Sequence, residues 1–157
     1  MRRHWLIPCA LLALVAPQSS HALLEVCTVS TSPVVFGSYN PISGAAVDST
    51  GTVTVTCTAV VSISVNYSIA LGTGLGGSFA PRRMTSGANT LPYNLYTSAS
   101  RSTVWGDGSG GTSTVSDGYT LGLLLVTRNY TVYGRIPASQ NVAAGAYADT
   151  IVVTVTY

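Results

Sequence analysis

The sequence predicts an all-β protein, a β-sandwich of about seven strands, and three observations carry that reading. The stretch Asp149-Thr150-Ile151-Val152-Val153-Thr154-Val155-Thr156-Tyr157 sets Ile151, Val153, Val155 and Tyr157 on one side of an extended chain, with threonines on the other. The same two-residue period recurs in Val53-x-Val55-x-Cys57 and in Ile63-x-Val65-x-Tyr67-x-Ile69-x-Leu71. Glycine clusters at 72–77 and 106–111 stand between such runs, and no stretch carries a convincing helical period. The 157 residues make room for one domain. With 46% hydrophobic and only 8% charged residues, the chain lacks the composition of a disordered segment.

Residues 1–22 read as a secretory signal, leaving a mature domain of residues 23–157. Arg2, Arg3 and His4 form a positive start, Trp5 to Ala16 an apolar run, and Ser20-His21-Ala22 a small-x-small cleavage site. The run falls short of the ~20 residues needed to span a bilayer, so no transmembrane segment is expected in the mature chain. Cys9 lies inside it and is expected to leave with it.

Along the mature chain, a first strand covers Val26 to Ser30, and Pro33-Val34-Val35-Phe36 is expected to continue it past a proline-marked break. Residues 37–51 read as a loop, and Gly51 to Thr58 as the second strand. Ser62 to Leu71 forms the third. A short edge segment surrounds Arg82-Arg83-Met84, and Leu91 to Tyr96 alternates again. Tyr119 to Val126 and Tyr130 to Ile136 are expected as separate strands with a turn at Arg128-Asn129. The final strand is expected to start near Tyr147 and to run to Tyr157.

Beyond the signal, five arginines (82, 83, 101, 128, 135) meet five acids (Glu25, Asp48, Asp107, Asp117, Asp149), and neither histidine nor lysine remains. Such a chain offers no basic patch to nucleic acid or to an anionic membrane. Cys27 and Cys57 are expected to form one disulfide in an exported protein. It would close a loop of about 30 residues, contributing roughly 3–4 kcal/mol.

Catalysis finds little support. Ser109, in Trp105-Gly-Asp-Gly-Ser-Gly-Gly111, has no histidine or lysine to take its proton, so no enzyme activity is expected. Asp107 and Asp117 are ten apart without the regular spacing of a calcium loop, and two thiols without histidine cannot complete a zinc site. No metal or other cofactor is expected. Tyr93, Tyr96 and Trp105 are candidates for stacking a glycan.

The order of several short motifs resembles the spore coat protein U domain family, whose relatives include subunits of archaic chaperone–usher pili. These motifs are Cys27-Thr-Val, Phe36-Gly37-x-Tyr39, Thr-Val-Thr-Cys57, Tyr93-Asn94-Leu95-Tyr96, Val104-Trp105-Gly106-Asp107-Gly108, Tyr133-Gly134-Arg135-Ile136-Pro137 and Gly145-x-Tyr147-x-Asp149-Thr150. The resemblance implies an incomplete immunoglobulin-like sandwich whose final strand comes from a partner: a periplasmic chaperone during export, then a neighbouring pilus subunit. An outer-membrane usher is the third implied partner, and the cell surface is the implied destination, reached through the periplasm.

On this reading the strand ending at Tyr157 is the rim of an apolar groove. Ile151, Val153, Val155 and Tyr157 line it, with Val29 as the expected opposite wall. Only Leu23-Leu24-Glu25-Val26 stand between the expected cleavage site and Cys27, which implies a subunit that accepts a strand without donating one, at a chain-terminating, tip-like position. The alternative is a self-sufficient secreted sandwich that binds a surface glycan or acts as a coat protein.

Overall fold

The computed structural model describes residues 25–59, 63–121 and 125–157; the expected signal lies outside the described residues. Eight strands are present among them: β1 (Glu25–Ser32), β2 (Val47–Ala59), β3 (Ile63–Leu71), β4 (Arg82–Ser86), β5 (Asn89–Tyr96), β6 (Val115–Leu121), β7 (Leu125–Ile136) and β8 (Val153–Thr156). They form a five-stranded sheet, β1-β2-β7-β5-β4, and a three-stranded sheet, β6-β3-β8, with antiparallel pairing throughout.

The alternation read from the sequence is the alternation that is buried. Val53, Val55 and Cys57 of β2 and Val65, Tyr67, Ile69 and Leu71 of β3 form the core with Leu91, Leu95, Trp105, Val132 and Ile136. Each such aliphatic side chain contributes about 1.5–3 kcal/mol when fully withdrawn from water. Cys27 and Cys57 sit directly opposite each other on β1 and β2, with Cα atoms 4.1 Å apart, and are joined by the disulfide.

The structure departs from the sequence reading at four places. Arg128-Asn129 is not a turn: β7 runs unbroken through it, Arg128 opposite Val55 and Asn129 opposite Thr54, whose hydroxyl donates to Asn129 Oδ1 at 2.8 Å. Twelve consecutive pairings with β2 outweigh the local turn preference of an Arg-Asn pair. Strand β6 ends at Leu121 and β7 begins at Leu125; residues 122–124 lie outside the described residues. Strand β2 begins at Val47, inside the stretch expected as loop, because Val47 to Thr50 pair with Tyr133 to Ile136.

Residues 33–36 do not extend β1. After Ser32 the chain leaves the sheet edge, and Val34 and Phe36 settle across the inner face of β2 and β7. Two glycines make room: a Cβ at Gly134 would lie 2.7 Å from both Phe36 Cζ and Val34 Cγ1, and one at Gly51 would lie 2.8 Å from Val34 Cγ2. Ser49 Oγ donates to Val35 O at 2.6 Å and holds the segment in place.

The terminal strand is shorter than expected, because its first half belongs to the other sheet. Ala148 forms an isolated bridge with Thr85 of β4 (N···O 2.8 and 3.1 Å), and only Val153–Thr156 pair with β3. The stretch therefore crosses from the edge of one sheet to the edge of the other.

Candidate functional site

That crossing is pinned by Asp149. Its Oδ1 accepts the backbone N–H groups of Leu75 and Thr150, both at 2.8 Å, and its Oδ2 accepts the hydroxyl of Tyr93 at 2.7 Å. Burial, and then the neighbouring carboxylate, push the Tyr93 hydroxyl well above the ordinary phenol range, so it remains a donor. Beside it Arg82 is fully buried and donates to Gly72 O (2.9 Å), Leu71 O (3.3 Å), Trp105 O (2.7 Å) and Asn94 Oδ1 (2.9 Å). Burial lowers its pKa from the ordinary arginine value. These two side chains bind the ends of β3, β4 and β5 together at one flank of the sandwich.

Beside it, the free side of β8 is built differently. Gly72 N–H donates to Val152 O at 2.9 Å, and Ala70 and Ser68 stand opposite Thr154 and Thr156. Backbone groups of successive strand residues point in alternate directions, so the N–H and C=O groups of Val153 and Val155 point away from β3. No other strand among the described residues pairs with β8 on that side. The strand thus carries a free edge, while Val153 and Val155 direct half-buried side chains at the core.

Next to this edge lies an apolar cleft of about 1060 Å³. Val53, Leu71, Met84, Leu91, Leu95 and Val132 form its floor, and Ile151 and Val153 contribute to one wall. Val34, Phe36 and Tyr39, on the segment that left β1, line it as well. Tyr39 fixes that segment, donating to Pro137 O at 3.0 Å and accepting the N–H of Gln140 at 2.7 Å.

Of the groove residues named from the sequence, Ile151 and Val153 line this cleft. Val155 continues along β8 beyond it. Tyr157, 51% exposed, borders a shallow surface depression with Tyr67, Ser68 and Asp117. Val29 faces the sandwich interior opposite Val55 but remains 40% exposed at the sheet edge and does not line the cleft. The residues missed were Val34, Phe36 and Tyr39. Their signal was an apolar alternation immediately after Pro33, which reads equally well as a continuing strand.

The glycan-stacking trio does not assemble. Trp105 is 0% exposed, with its indole N–H donating to Ile69 O at 2.9 Å, and the Tyr93 ring is buried against Phe36; only Tyr96 is half-exposed. Ser109 donates its hydroxyl (2.6 Å) and its N–H (2.9 Å) to Asp107 Oδ1, which holds that carboxyl below the ordinary range and closes a turn. Asp117 belongs to a separate network, accepting the hydroxyl of Tyr130 at 2.6 Å.

The model of the spore coat protein U domain matches residues 13–154. The chain belongs to that family. This spore coat protein U domain is 40% identical over 131 residues to Protein U of Myxococcus xanthus, an alignment covering 78% of the chain and 70% of the relative. Its fold matches a chain in the CsuC–CsuE chaperone–tip adhesion subunit pre-assembly complex from the archaic chaperone-usher Csu pili of Acinetobacter baumannii. The TM-score is 0.57 at 24% identity, over 85% of this chain and 40% of that one. The likeness establishes the all-β, immunoglobulin-like architecture; the domain spans two fifths of the solved chain's length. Among the described residues, no helix is long and apolar enough to cross a membrane.

Proposed function

We propose that this spore coat protein U domain is a structural, adhesive subunit of a chaperone–usher surface fibre, and that it takes a partner's β-strand along β8. One observation carries the reading: the N–H and C=O groups of Val153 and Val155 point outward along β8, and its first residue, Val153, lines an apolar cleft. An extended peptide laid there would satisfy those groups and place alternate side chains into the cleft, the two terms by which strand addition gains affinity and specificity. A periplasmic chaperone would fill the site during export and a neighbouring subunit in the fibre, with an outer-membrane usher between the two stages. The solved complex supports this partner class, since it pairs a chaperone with a tip adhesion subunit. An edge left bare is a template for aggregation, which gives export a reason to keep it covered.

Hydrogen exchange resolved by residue tests the proposal. In the free subunit the Thr154 amide should be protected by β3, while those of Val153 and Val155 exchange rapidly. A peptide alternating large apolar residues should protect all three and, at about a hundredfold excess over Kd, stabilise the fold by about 2.7 kcal/mol. Val153 and Val155 amides that are already protected without peptide, or that stay unprotected with it, would sink the reading.

A further inference from the structure

The outer face of the five-stranded sheet, turned away from the cleft, carries a second assembly. In the register of β2, β7 and β5, Thr50, Tyr133 and Tyr96 stand side by side, and Asp48 and Arg135 occupy the next row. Their neighbours Val132, Gly134 and Ile136 are buried, so these side chains point outward, and both tyrosines are half-exposed. Arg135 grips Asp48 through two hydrogen bonds, Nε to Oδ1 at 2.7 Å and a terminal nitrogen to Oδ2 at 2.8 Å. Arg101 reaches the same Oδ1 at 3.3 Å, with its guanidinium carbon 5.9 Å from the centre of the Tyr133 ring. Arg101 also donates to Gly134 O (3.4 Å) and Ala99 O (2.9 Å), so it is fixed from three sides.

We infer that this face binds an acidic saccharide, with a sugar ring on Tyr96 and Tyr133 and its carboxylate toward Arg135 and Arg101. Two guanidinium groups share one carboxylate, so the cluster keeps one uncompensated positive charge. Beside it the face presents the uncharged Thr50, Thr52 and Thr131, with the exposed Arg83 further across on β4. The second terminal nitrogen of Arg135 has no hydrogen-bond partner among the described residues. A planar fork held in place by its own carboxylate partner is suited to receiving a second carboxylate. The adjoining phenol rings offer flat apolar area with a polar tip, which suits a ring carrying both C–H and O–H groups. The inference does not depend on strand addition, because its residues lie on the opposite face of the sheet.

Calorimetric titration of the purified protein with a short oligogalacturonate, a neutral gluco-oligosaccharide of equal length and acetate tests it. The uronate should bind, weakening as salt is added, and both the neutral sugar and acetate should bind at least about tenfold more weakly. Tyr133→Ala and Arg135→Gln should each lose about tenfold, whereas Tyr133→Phe retains binding. In spectra of the folded wild type, the Arg135 Nε–H resonance should shift on adding uronate. Equal binding of the neutral sugar or of acetate, no binding at millimolar uronate, unchanged affinity in both loss variants, or shifts confined to β8 would each overturn the inference.

Discussion

Where the chain crosses from β4 to β8, the two sheets are tied by polar side chains: the buried Arg82 donates to three backbone carbonyls and an amide, and the half-buried Asp149 accepts two backbone N–H groups and a phenol. Beside that crossing they face each other across an apolar cleft, and among the described residues the last strand has backbone partners on one side only. The contrast shows how one small domain can combine a firmly bonded crossing with an open strand edge. Directional, fully satisfied bonds concentrate where the chain crosses between sheets. Non-directional apolar surface is left beside the open edge of β8, where the proposed partner strand would settle.

Breaking the bonded crossing should have the largest effect. Arg82→Met strands three carbonyls and Asn94, and should lower stability by about 3–5 kcal/mol, read from denaturant midpoints. A loss below about 1 kcal/mol would show that the crossing is held by packing alone. Gly134→Val acts on the cleft instead. It drives a side chain into Phe36 and Val34, should cost about 2–3 kcal/mol, and should weaken binding of a strand peptide by displacing the wall of the cleft. If peptide affinity were unchanged, the 33–39 segment would not form part of the acceptor site.

Tyr93→Phe sharpens the comparison, because it removes one donor to Asp149 while preserving the ring that lines the cleft. A loss of about 1.5 kcal/mol is expected in the same unfolding experiment, with peptide binding retained.

The smallest effect is electrostatic. The hydrogen bond from Arg135 is the chief cause that holds the Asp48 carboxyl below its ordinary pKa, and the bond from Tyr130 does the same for Asp117. A depressed folded-state pKa contributes stability that is complete above the unfolded value of about 4. That contribution is lost as pH falls through the lower, folded value. Solvent screening keeps each contribution under about 1 kcal/mol. Stability measured from about pH 5 to 2 should fall less steeply in Asp48→Asn than in wild type.

Much of this molecule can be read from short-range pattern. The face of β3, the inward valines of β2 and the pairing of Cys27 with Cys57 follow from a period of two and from cysteine count, because a strand's side chains alternate whatever lies beside them. The alternation of β8 was equally legible. What escaped was every feature in which residues distant in sequence compete for one position. Arg128-Asn129 has turn chemistry, yet it is held straight by β2. Val34 and Phe36 look like strand, yet they are drawn inward by the space that Gly51 and Gly134 leave. Arg82 appeared as one of two edge arginines, yet it is the residue that finds four acceptors in the interior.

The sequence by itself determined that this is an all-β domain with an apolar, alternating β8, since hydrophobic periodicity is a local property of the chain. Only the tertiary structure decided which edge of β8 is bare and which segment faces it across the cleft. Those depend on sheet order and on where the chain crosses between layers, and both are settled by long-range packing and hydrogen bonding that no local window contains.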